Sequence, residues 1–101
     1  MACTPDDIKK VAAVYYYPVI STHPTQTMSQ WYPSYIAFQD NMWNNYQTSG
    51  CSWWANRVNL WQGQLAGGVN LNGNPFGPFQ IAALNAKIDF AQAMHTVCGC
   101  F

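Results

Sequence analysis

Apolar residues in this chain recur at every third or fourth position and nowhere alternate with polar ones over a useful length. That spacing predicts helices and leaves no material for a sheet. Ile8, Val11, Ala12, Tyr15 and Tyr16 share one helical face between about Pro5 and Tyr17. Tyr35, Phe38, Met42 and Tyr46 do so from Pro33 to Thr48, with Ile36 and Trp43 widening the stripe. Trp54, Val58, Trp61 and Leu65 follow from Trp53 to Ala66, and Ile81, Leu84, Ile88 and Ala91 from Pro78 to Val97. Local signals agree. Thr4 can cap the first helix, Pro5 suits its first position, and Asp7 stands where a capping box needs an acceptor. Asp6 and Asp7 favour the positive end of the helix dipole. Pro18 should end that helix.

The expected architecture is therefore all-α: a small up-down helical bundle in a single domain spanning residues 1–101, with a long loop at 19–32 bracketed by Pro24 and Pro33. Ser49-Gly50 offers a reversal, since glycine takes left-handed conformations freely. Four helices are favoured on that basis. The alternative is three helices, with one long kinked helix passing through Gly50. The cysteines separate the two. In a four-helix bundle Cys3, Cys51, Cys98 and Cys100 all fall at one end; in the three-helix form Cys51 is stranded mid-bundle. The Gly-, Asn- and Pro-rich stretch from Gly67 to Pro78 reads as the connection between the last two helices.

Three chemistries compete for the cysteines. Two disulfides would staple the termini to the central turn. Pairing Cys98 with Cys100 would strain a ring with one intervening residue, so each is expected to pair elsewhere, one with Cys3 and one with Cys51. Alternatively His95, Cys98 and Cys100, with Cys51 or Cys3, supply soft ligands for zinc, although the spacing is not that of the usual fingers. A redox-active Cys98-Gly99-Cys100 dithiol is disfavoured, because a helix C-terminus does not stabilise a thiolate. His95 also continues the last apolar stripe and reads as a hydrogen-bonded residue near a helix end. No cofactor is expected.

Charge narrows the function. Only 8% of residues are Asp, Glu, Lys or Arg, and the net charge is zero. An ordinary soluble domain carries about 25%. Phosphate binding relies on Lys and Arg, so nucleic acid is not an expected partner. The most apolar run, Val11 to Ile20, is about half a membrane span and holds Pro18, so no span is expected. The start MACTPDD lacks the basic and apolar segments of a secretory signal. The protein is then retained inside a cell or particle, or a signal was removed and Met1 is not native. No spacing of catalytic groups matches hydrolase, metalloprotease or phosphate-loop patterns, so an enzyme is not expected.

Aromatic residues make up 16% of the chain. Trp53 and Trp54 are adjacent and point about 100° apart on a helix, so one must leave the main stripe. Tyr15, Tyr16 and Tyr17 cover most of a helix circumference. These rings fill a wide core, face a partner protein, or stack on a carbohydrate. A charge-poor surface gives little repulsion between copies. The favoured reading is a non-enzymatic structural or assembly subunit packing against itself or other chains in a larger particle such as a virion or filament. Tyr16, Trp31, Tyr32 and Trp53 are its expected partner contacts. The alternatives are a secreted, disulfide-stapled binding domain for a carbohydrate or host protein, and a metal or redox protein using the terminal cysteines.

Overall fold

The structure is a computed structural model that describes residues 3–100. Among these residues it contains five helices and no strand: α1 (Pro5–Tyr15), α2 (Tyr17–Ile20), α3 (Met28–Ser49), α4 (Ser52–Gly67) and α5 (Pro78–Val97). The only β-type pairing among the described residues is an isolated bridge between Val69 and Pro75.

The first arm is α1 followed by α2. Thr4 Oγ1 accepts from the Asp7 amide, and an Asp7 carboxylate oxygen accepts from the Thr4 amide, which closes the capping box. Pro18 has no amide hydrogen to give the carbonyl of Val14. The chain bends there instead of stopping, and Pro18 enters the first turn of α2.

The expected loop at 19–32 is a correction. Its first residues belong to α2 and its last to α3, leaving only residues 21–27 outside a helix. Pro33 is the sixth residue of α3, not its start. The true start is at Thr27, whose amide donates to Gln30 Oε1 at 2.8 Å. That bond outweighs the propensity signal of Pro33. One proline near a helix start costs a single ladder bond, from the carbonyl of Ser29, and Pro33 is exposed to solvent.

At Gly50 the backbone takes φ 64° and ψ −147°, a region essentially restricted to glycine. α3 and α4 therefore reverse there. Facing pairs trace the antiparallel runs. Tyr46 stacks on Trp54 near the turn and Phe38 meets Trp61 farther along. Trp54 meets Phe90 across α4 and α5, and Cys3 meets Cys98 across α1 and α5. Four arms thus run up and down, with the α1–α2 pair counting as one.

The core is mainly aromatic. Trp54, Phe90, Ile8 and Met94 are its largest fully enclosed apolar side chains. Eleven rings form one connected path through the molecule, from Tyr17 and Trp31, through Tyr35, Tyr16, Phe38 and Phe90, to Trp54, Tyr46 and Trp43. Ring pairs add about 0.5–1.5 kcal/mol each beyond the area they bury. α5 buries a wider arc than its stripe implied. Ala86, Phe90 and Met94 are buried along with Leu84, Ile88 and Ala91, while Ile81 is exposed.

Candidate functional site

The two ends of the bundle differ in chemistry. At one end Cys3 is bonded to Cys98 and Cys51 to Cys100, with Cα–Cα distances of 4.7 and 5.5 Å. No cysteine is free. The start of α1, the α3–α4 turn and the end of α5 are thereby joined. Cys98 and Cys100 pair with different partners because Gly99, at φ 70°, turns the chain between them. The proposed zinc ligands are thus spent as disulfide sulfurs. Among the described residues no group of three or more His, Cys, Asp or Glu is arranged to hold a metal. His95 is half-buried and lines a groove with Ala55, Val58, Asn59 and Gln92 between α4 and α5.

The opposite end carries no formal charge. All eight charged residues lie at positions 6–10, 40, 57 and 87–89, so residues 11–39 and 58–86 contain none. Those two segments supply α2, the loop after it, the first half of α3, the end of α4, the α4–α5 connection and the start of α5. Tyr17, Met28, Tyr32, Val69, Leu71 and Ile81 expose apolar surface in this region.

The α4–α5 connection is shaped by its own hydrogen bonds. Gly68, at φ 72° and ψ 0°, closes α4 and turns the chain away. The loop then folds on itself. The Asn70 amide donates to the Asn74 carbonyl at 2.8 Å, and the Gly73 amide to the Asn70 carbonyl at 3.0 Å. Asn70 Oδ1 accepts from the amides of Asn72 and Asn74 at 2.9 and 3.1 Å. This is an Asx-type lock, in which an asparagine side chain stands in for a backbone acceptor. At the loop base the Phe76 amide donates to the Gly68 carbonyl at 3.1 Å, and the Phe76 ring packs against the core. The tip of this fixed loop presents Leu71 with 106% relative exposure.

A cleft of about 650 Å³ lies between the loop after α2 and the start of α5, lined by Thr22, His23, Pro24, Pro78, Phe79 and Ala82 among others. His23 Nδ1 accepts from the amides of Thr25 and Gln26 at 3.2 and 3.0 Å, and its ring lies 4.6 Å from that of Phe79. His23 is half-buried and forms part of the cleft wall.

The expected partner contacts divide. Tyr16 and Trp31 are buried within the chain at 7% and 5% exposure, and so are not presented to a partner. Both belong to the ring path, where α1, α2 and α3 meet. Tyr32 is exposed beside Trp31. Trp53 is half-buried under the Arg57 guanidinium, whose carbon sits 4.1 Å from the ring centroid. The Arg57 guanidinium also donates to Asn56 Oδ1 at 2.7 Å. Lys87 takes a related position. Its Nζ lies 5.8–5.9 Å from the rings of Tyr16, Phe38 and Trp61. Burial there pulls its pKa below the usual lysine value.

Leu71 and the cleft were missed in the sequence because neither is a motif. The signal was the position of the charges, which becomes informative only once the antiparallel arms bring two ion-free segments to one end. No helix among the described residues is long and apolar enough to cross a membrane. Comparison with protein-family models, with curated proteins and with solved structures finds no match, so the functional reading rests on the geometry alone.

Proposed function

We propose that this chain is a non-enzymatic structural subunit whose uncharged end packs against other protein chains in a larger assembly such as a particle or filament. The supporting observation is the segregation of charge: one end of the bundle has no ion and presents exposed apolar side chains, Leu71 foremost. Aromatic content no longer supports the reading, because most of the rings are used in the core. Interface centres are depleted of charge relative to the rest of a surface, and that is the pattern here. An ion-free contact should also be insensitive to screening. Sedimentation of the purified, oxidised chain over a range of concentration and salt tests this. Association that persists unchanged from low to high sodium chloride is the expected result. A monomer at every concentration, with no partner recovered from its native source, would overturn the proposal.

A second reading, a secreted binding domain for a host protein or carbohydrate, draws support from the two disulfides, which persist best in oxidising compartments. Glycan-array binding that is lost on substituting Tyr32 or Trp53 would favour it.

A further inference from the structure

The two disulfides are not equally open to attack. We infer that Cys51 is a thiol-exchange site: an external thiolate bonds to Cys51 Sγ, displaces Cys100, and leaves the Cys3–Cys98 bridge closed.

Burial separates the four sulfurs. Cys3 and Cys98 are enclosed at 1% and 3% exposure and Cys100 at 7%, whereas Cys51 is exposed. Thiol–disulfide exchange begins with attack on one sulfur, and its rate depends on access to that sulfur. The entering thiolate approaches in line with the S–S bond. Attack at Cys51 therefore comes from the side away from Cys100, and the buried sulfur is the one that leaves. The surface beside Cys51 is concave. Ser49 and Ser52, on either side of it in the chain, line a cavity of about 210 Å³ with Trp53 and Asn56. At Cys3–Cys98 the same attack requires the start of α1 to part from the end of α5, because both cysteines belong to the core.

A monothiol such as glutathione enters as its thiolate, and Cys100 departs as a thiolate that takes a proton from water. The product holds one new S–S bond at Cys51 and one thiol at Cys100, with no net oxidation or reduction. A dithiol goes a step further. Its second thiolate attacks its own bonded sulfur, releases Cys51, and so passes two electrons to the bridge while becoming a disulfide. Cys51 is the N-cap of α4, whose positive end favours the departing thiolate. Either route frees the α3–α4 turn from the end of α5, while α1 stays bonded there through Cys3–Cys98.

The test incubates the full oxidised chain with reduced glutathione in native buffer. Samples are trapped at intervals with excess N-ethylmaleimide in urea and mapped by mass spectrometry. The expected early product carries glutathione on Cys51 and the maleimide on Cys100, with Cys3 and Cys98 still bonded to each other. With dithiothreitol in place of glutathione, Cys51–Cys100 should open about tenfold or more faster than Cys3–Cys98. In denaturing urea, where all four sulfurs are accessible, that preference should collapse. Glutathione on Cys100, opening of Cys3–Cys98 at an equal or greater rate, or a preference that persists unchanged in urea would overturn the assignment. Resistance of both bridges in native buffer would do the same.

Discussion

The two disulfides close loops of very different length, 95 and 49 residues, yet they are not independent. Consider removing Cys3–Cys98 by Cys3→Ala and Cys98→Ala, alanine being preferred because both positions are buried. With Cys51–Cys100 intact, the unfolded chain already short-circuits most of its second half. The bridge then closes an effective loop of about 50 residues, which corresponds to about 4 kcal/mol of lost unfolded-state entropy. Now remove Cys51–Cys100 with the other bridge in place. Two routes of about 50 residues join its ends in parallel, so it behaves as a loop of about 25 residues and contributes about 3.5 kcal/mol. The longer bridge should therefore matter slightly more, and each loss is large against total stabilities of about 5–15 kcal/mol. Urea unfolding followed by tryptophan fluorescence measures both quantities that count. The midpoint should fall, and the slope with urea should rise, because an uncrosslinked chain exposes more surface when unfolded. A loss under about 1 kcal/mol for the Cys3/Cys98 variant, with an unchanged slope, would refute the chain-entropy account. Removing both bridges should abolish a cooperative transition at physiological temperature.

Other expectations follow from single positions. Gly50→Ala should cost about 1–3 kcal/mol by chemical denaturation, because nothing lies near a Cβ there and the whole penalty is backbone strain. Gly68→Asn should cost less than about 1 kcal/mol, since φ 72° and ψ 0° is a conformation asparagine tolerates. Asn70→Ala should cost about 1 kcal/mol and speed amide exchange at Asn72 and Asn74, as read by nuclear magnetic resonance. Lys87 is held below its ordinary value of 10.5 by burial, so the unfolded chain binds that proton more tightly. Stability should rise as pH climbs through the folded value toward 10.5, and Lys87→Met should abolish the rise. Tyr16 acts in the opposite sense above its ordinary value of 10.0: burial raises its pKa, so the unfolded phenol ionises first and stability falls.

Sequence reasoning succeeded where a residue's own chemistry decides its conformation. Thr4, Pro5 and Asp7 placed the start of α1, and Gly50 placed the reversal that gathers the cysteines at one end. It failed where two local signals compete. Pro33 looked like a helix start, but the Thr27–Gln30 capping pair begins the helix a turn and a half earlier and carries Pro33 inside. It failed also for Tyr16 and Trp31. Whether a ring faces the core or a partner depends on which arms meet beside it, and the bend at Pro18, which swings Tyr17 against Trp31, is a tertiary event. The candidate contact end was the least legible. Leu71 in a run of asparagines and glycines has no pattern to mark it, and only the closed loop makes it prominent.

The disulfide pole has a practical meaning of its own. Cys3 and Cys100 stand within a few residues of the two ends of the chain, and both bridges fasten them to the same pole. Any tag, label or neighbouring domain attached at either terminus will hang from that pole. The disulfide pole and the ion-free end thus lie at opposite extremes of the bundle, so a label carried next to Cys3 or Cys100 stays clear of the α4–α5 connection.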